Sequence, residues 1–482
     1  MLRNSAKPQL KEASRAKSIY FMTWRWHFYA GLFVIPFMLM LSLTGGLVML
    51  FDDEIELARY EATLQVSPQE QMVPVSAQLE TVKQAYPDFN VTQFVPAKTA
   101  DIANRFSIQN QEGSSLIVAV NPYTGDVQGT INRGDSIYEL MNSIHGTLII
   151  GDLGDRLIEI AASLGGILLL VSGLYLWLPR DNASRAGFLK IRLNNGPRIL
   201  MRDLHANLGG VLSIVLLFFL ISGLSWAGIW GAKMVQAWNT FPTYYTWGGE
   251  KPESTLTHKD LNHGASEEMP WNLELAAVPE SKDKPAHDHA NMKEEMAYAG
   301  SHDALSIDDI ILKAEMMGFT GYKLFLPRSE TGVYTVAANS MGGDISDPRQ
   351  DRTSHFDQYS GRLLVDVTWQ DYSLFAKFMA AGVSLHQGDV SVLNKVLNVV
   401  FCLAFILISV TGVVMWWIRR PSRSAALGAP PKFQQDGIWK LGLVTLVILC
   451  LAFPMGGLAI VTVLALDWLL FNRVEKLKTA LN

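Results

Sequence analysis

Residues 26–47, WHFYAGLFVIPFMLMLSLTGGL, and residues 204–226, LHANLGGVLSIVLLFFLISGLSW, decide the fold, because one pattern is written in both. Each run is apolar for about the 20 helical residues that a hydrocarbon core of about 30 Å demands. Each opens on a His with a Gly four residues later (His27/Gly31, His205/Gly209). Each then places a small hydroxyl residue and a Gly at offsets 17 and 18 (Thr44-Gly45, Ser222-Gly223). Two further stretches match each other in the same way: SIHGTLIIGDLGDR…VSGLYLWLPR from 143 and SLHQGDVSVLNK…VTGVVMWWIRR from 384. Here a His (His145, His386) precedes an apolar run, and a small-Gly pair (Ser172-Gly173, Thr411-Gly412) sits near its far end, followed by Trp and Arg. Such self-similarity is the mark of an internal tandem duplication.

Working outward, spans are expected at 27–51, 156–178, 205–231 and 394–418. The run 438–471, interrupted by Pro454 and Gly456-Gly457, reads as a helical hairpin of two more. The fold class is therefore a polytopic α-helical membrane protein of about six transmembrane helices. The first span follows basic residues as a signal peptide would, but it is too long for an h-region and no A-x-A-like site follows, so it reads as a retained anchor. Between the spans lie an N-terminal arm (1–26), an outer segment (52–152), a loop (179–204), a second outer segment (232–375) and a loop (419–437). The turns NPYTGDVQG (121–129) and FDQYSGRLLVDV (356–367) read as strand, tight turn, strand, one in each outer segment. Residues 248–304 form a polar insertion containing His258, His263, His287, His289 and His302. It reads as a disordered excursion or as a metal-capturing tract.

The bulk composition agrees. Of 482 residues 49% are apolar and 18% charged, with mean hydropathy +0.16, which fits spans combined with sizeable soluble parts. A net charge of −5 offers nucleic acid no attraction. The only cysteines, Cys402 and Cys450, sit in apolar runs without a CxxCH, which excludes covalent haem, a cysteine zinc site and a disulfide framework. Lys and Arg crowd the arm, the 179–204 and 419–437 loops and the tail, while the outer segments are net acidic. The positive-inside rule then puts both termini in the cytoplasm of a bacterial inner membrane, with lipid around the spans and both large segments outside.

Four histidines remain to be explained. One His at a membrane boundary is an ordinary interfacial residue, but repeat-related positions place His27 and His205 at one depth and His145 and His386 at another. Two facing imidazole pairs are what axial ligation of two non-covalent b-type haems requires. At 1.5 Å per residue, Gly45 and Gly223 lie about 27 Å beyond His27 and His205, level with the outer pair. Gly173 and Gly412 lie level with the inner one by the same reasoning, and all four glycines would clear room for a flat macrocycle. Arg25 and Arg202 flank the inner pair and serve either positive-inside bias or the haem propionates. The Trp residues near the span ends read as an interfacial belt.

This set of motifs resembles the PepSY-associated transmembrane family over about residues 27–420. The resemblance implies two α+β PepSY-like domains outside and His27, His145, His205 and His386 as haem ligands. It also implies a di-haem reductase of a ferric siderophore or other ferric chelate, supplied by a separate cytoplasmic or quinone donor, since no GxGxxG is present. A membrane-anchored regulatory or peptide-binding module, or a metal or siderophore transporter, are the readings without electron transfer. The insertion and the C-terminal hairpin lie outside the four-span pattern of the family.

Overall fold

The computed structural model describes residues 6–50, 60–180, 185–231, 252, 254–262, 268–281, 304–420, 427–430, 440–471 and 473–474. They fall into two compact units, one of Met1–Leu47, Asn142–Ala237 and Val396–Asn482, the other of Val48–Met141 and Trp238–Lys395.

The first unit is helical. Lys17–Leu50, Asp152–Trp177 and Val392–Arg419 are long and apolar enough to cross a bilayer. Pro197–Val211 and Ser213–Leu224, bent by 60° at a short break, make a fourth span if taken together. The second span is interrupted by a π-helical turn, Gly165–Leu170, which accommodates an extra residue and rotates everything after it by about 100° relative to a regular helix. The C-terminal hairpin has 13-residue helices, Lys440–Ala452 and Pro454–Leu466. The second runs on into a π-helical turn, Asp467–Phe471, and neither is among the helices long and apolar enough to cross, so the described helices make three spans, or four with the bent pair. Pro454 starts the second of these helices, where a missing N–H costs nothing. Gly456 lets this helix press on the second span, since a Cβ there would lie 2.9 Å from Ser163 Oγ. Val34, Leu164, Ile167 and Ile460 form the apolar centre of that contact.

The second unit is a single antiparallel sheet of eight strands in the order β4-β3-β2-β1-β5-β6-β7-β8. The strands are β1 (Asn90–Val95), β2 (Asn104–Gln109), β3 (Ser115–Val120), β4 (Val127–Ile131), β5 (Lys323–Phe325), β6 (Val333–Ala338), β7 (Arg352–Asp357) and β8 (Leu363–Thr368). Two four-stranded meanders therefore meet edge to edge, through Gln93↔Phe325 and Phe94↔Leu324. The two outer segments, expected as separate domains, share one sheet and one core. Helices Val75–Ala85 and Ile307–Met316 cover one face, burying Leu79, Val82, Ile307 and Ile310 against Phe94, Phe106, Leu324 and Phe356. Asp308 ties the halves together by accepting the Val75 N–H at 2.7 Å, one of the donors a helix start leaves unpaired. Both anticipated hairpins are present, with Gly125 (φ +77°) and Gly361 (φ +63°) supplying the left-handed turn residue.

The insertion differs from the expected disorder in its described parts. Leu261, Met269 and Val278 pack on Phe325, Val333 and Ala337, covering the other face of the second meander. His263, His287, His289 and His302 lie outside the described residues.

Candidate functional site

His27, on the first span, and His205, on the first half of the bent third span, face each other with ring centroids 6.3 Å apart and planes at 88°. Two metal–nitrogen bonds of about 2 Å and two ring radii of roughly 1 Å add up to about 6 Å, so the separation fits two imidazoles on one metal. Each ring is held from behind by a neighbouring span. His27 Nδ1 lies 2.8 Å from Ser172 Oγ, and the π-turn just before Ser172 fixes which way that hydroxyl points. His205 Nδ1 lies 2.9 Å from the Ile408 carbonyl and 3.5 Å from Thr411 Oγ1.

Gly45, Gly173 and Gly412 each stand level with a histidine, but against its ring. An ideal Cβ on Gly173 would lie 3.3 Å from His27 Cε1, one on Gly412 3.3 Å from His205 Cε1, and one on Gly45 3.2 Å from His145 Cε1. What they clear is the edge of a histidine ring, where the sequence reading assigned the space to a macrocycle. Gly223 lies in the last turns of Ser213–Leu224.

His145 sits in the last turn of helix Ile137–Thr147, its Nδ1 2.9 Å from Thr44 Oγ1. The corner after it is strained: Leu148 and Ile149 have φ of +52° and +63°, which costs such side chains about 1–3 kcal/mol each. Gly154 makes the corner possible, because a Cβ there would fall 1.7 Å from the Thr147 carbonyl oxygen. His386 occupies the last turn of helix Leu374–Gln387, closed by Gly388 at φ +89°.

Of the two arginines singled out, Arg202 pairs with the fully buried Asp203 at 2.9 Å, and Arg192 grips the same carboxylate in a fork at 2.8 Å through both nitrogens. Arg25 donates to the Pro430 carbonyl at 2.5 Å and to Tyr29 Oη at 2.9 Å. Both guanidinium groups are thus already engaged by protein. Arg419 is the cation that sequence reasoning passed over. It lies over Trp24 and Phe28, 5.1 and 5.0 Å from the ring centroids, its Nε is buried without a hydrogen-bond acceptor, and the charge of Arg198 bears on it. Two like charges beside an orphaned donor fit an anionic group next to His27. Trp177, read as belt, instead packs on Gly210 and donates from Nε1 to Asn207 Oδ1 at 3.0 Å, locking the second span to the third.

A second histidine pair lies in the sheet unit and was half missed. His258, from the insertion, and His355, from β7, are fully buried with Nε2 atoms 2.9 Å apart and centroids at 4.9 Å. That is a hydrogen bond, too short to admit a metal between the rings. The Ala276 carbonyl, 2.7 Å from His258 Nδ1, can only accept, so Nδ1 of His258 carries the proton and its Nε2 accepts from His355. His355 Nδ1 in turn accepts from Thr335 Oγ1 at 2.9 Å. Burial holds His258 down to about 4 and His355 well below its ordinary value, so both are neutral. Among the described residues no three His, Cys, Asp or Glu converge as a metal site. Nothing in His355's setting, RTSHFD, distinguishes it from any strand residue.

Apolar spans carrying inward histidines, together with an eight-stranded sheet unit, define a membrane-associated protein with a large antiparallel domain. The chain belongs to the family described as PepSY-associated TM region, whose model matches residues 24–419. No curated protein matches the chain.

Proposed function

We propose that the chain is an inner-membrane oxidoreductase with two non-covalent b-type haems, which carries electrons across the membrane to a ferric chelate such as a siderophore on the outer side. The observation that carries this reading is the His27–His205 pair, whose 6.3 Å centroid separation suits two axial imidazoles. It is supported by the rings' Nδ1 tethers, which leave Nε2 for iron, and by Arg419, whose buried Nε lacks an acceptor and suits a propionate. By the sequence repeat, His145 and His386 hold the second haem. Haem iron, when bound, supplies one-electron chemistry at a potential set by its axial ligands and their hydrogen bonds. Reduction loosens the hold of hard oxygen ligands on iron, so the chelate releases its metal.

The remaining parts of the reading follow the sequence. Both termini face the cytoplasm, the C-terminal hairpin completes six membrane-embedded helices, and the two meanders descend from one duplicated unit. A separate donor, cytoplasmic or quinone, delivers electrons near His27. The test is a pyridine haemochrome assay with a dithionite-reduced spectrum on the purified full-length chain. A haem-to-protein ratio near two is expected. A colourless protein would overturn the proposal and leave a membrane-anchored binding module.

A further inference from the structure

His27, His145 and His205 share a feature beyond their spacing: an oxygen on a neighbouring span meets each Nδ1, and that oxygen has no proton to give the ring. The Ser172 hydroxyl donates to the Leu168 carbonyl one turn back, so toward His27 its oxygen can only accept. Thr44 Oγ1 donates to the Met40 carbonyl at 2.8 Å, and so it too can only accept, from His145. The Leu41 carbonyl, also in reach of the His145 ring, is an acceptor by nature. Ile408 offers His205 a backbone carbonyl, and Thr411 Oγ1 donates to Leu407 and Ile408 at 2.8 and 2.9 Å. A hydroxyl has one proton to give and a carbonyl none. All three imidazoles are therefore driven into the same tautomer, protonated at Nδ1 with the lone pair on Nε2.

We infer that Ser172 and Thr44 are positioning residues that lock His27 and His145 as Nε2 donors before any cofactor arrives, and that, once a haem is bound, they set how strongly its iron is held and at what potential. This rests on the di-haem reading for its consequence but not for its geometry. An Nδ1–H···O bond makes imidazole a more basic ligand, which favours the ferric state, and loss of such outer partners typically weakens metal sites 10–100-fold. The two haems are then tuned separately, one through Ser172 and one through Thr44. The inner site is also lopsided, with a hydroxyl behind His27 and a carbonyl behind His205.

The experiment compares wild type with Ser172→Ala, Ser172→Thr and the isosteric Thr44→Val in full-length protein labelled with ¹⁵N-histidine. Imidazole nitrogen shifts are read in the haem-free protein and haem potentials in the loaded one. Wild type is expected to show Nε2 as the unprotonated nitrogen of His27 and His145. Ser172→Ala should release His27 into a tautomer mixture and shift one haem upward by up to about 59 mV, a tenfold change in its reduced-to-oxidised ratio. Ser172→Thr should restore both readings, because Thr stands at the matching positions 44 and 411. Thr44→Val should do to His145 and the other haem what Ser172→Ala does to the first. Variants that match wild type in nitrogen shifts and in both potentials would overturn the inference, as would a wild type with the lone pair on Nδ1. Haem content of the wild type decides the di-haem reading separately.

Discussion

Replacing Gly173 with alanine sets two effects of known size against each other. Ala is favoured over Gly inside a helix by about 0.8–1 kcal/mol, so by propensity alone the second span should be strengthened. The new Cβ, however, would stand 3.3 Å from His27 Cε1, so the ring has to give by a few tenths of an ångström. It is poorly placed to do so, being tethered through Nδ1 to the residue next door. Overpacking of this kind costs about 1–3 kcal/mol, and the cost falls on the ring that has to meet the ligand. Haem affinity at the inner site should drop by about 5- to 150-fold, while the melting temperature of the haem-free protein changes little or falls. Gly412→Ala should behave alike through His205, and Gly45→Ala through His145 at the other site. Gly46→Ala is the control: on the same helix, its Cβ meets only Cys402 Cβ at 3.8 Å, an ordinary contact. Haem titration into stripped protein, alongside thermal unfolding, separates the two effects. Equal haem affinity in all four variants, or a loss in Gly46→Ala as large as in its neighbour, would refute the reasoning.

Gly154→Ala is expected to be far more damaging, because a Cβ 1.7 Å from a backbone oxygen cannot be relieved by a side chain moving. Spectra should show the haem held by His145 lost while the one at His27 persists, and a variant retaining both would show that the corner does not position His145. The His258–His355 pair predicts a pH response in the sheet unit. Free histidine titrates near 6.5 and buried His258 near 4, so the unfolded state takes up the proton first, and stability is present above about 6.5 and lost as pH falls toward 4. For His258 alone the loss approaches about 3 kcal/mol. Hydrogen exchange in residues 254–262 and 352–357 should accelerate across that window and not above it, and His258→Phe should remove the share of His258 and leave that of His355.

The levels of His27, His145 and His205 were legible because helical rise is fixed: counting 18 residues from His27 is enough to level Gly45 with His145. What Gly45 faces was not legible, since that depends on how spans rotate against one another. The π-turn at Gly165–Leu170, which no local composition announces, changes that rotation for Ser172 and Gly173. Arg202 and Arg25 were natural choices for an anion from charge and position alone. Asp203, adjacent in sequence, claims Arg202, whereas Arg419 is set apart only by a buried Nε without an acceptor, which a sequence does not display. The hairpins announced themselves through Thr124-Gly125 and Ser360-Gly361, local turn chemistry in each case. The β1–β5 pairing joins residues separated by more than two hundred positions, and strand edges carry no address for so distant a partner.

That pairing also constrains how the protein is made. In the orientation proposed above, strand β1 is exported with the first outer segment, and β5 follows only after the second and third spans have been threaded. Until then the first meander displays an unpaired row of N–H and C=O groups along β1, the kind of edge that recruits foreign strands. The waiting interval is set by translation, since roughly 230 residues at 5–20 residues per second take about 10–50 s. The helix Val75–Ala85 also lacks its Asp308 cap throughout this time. In that orientation export is the slow partner of folding, and the half-built sheet is the stage at which a chaperone or protease on the outer side has its opportunity.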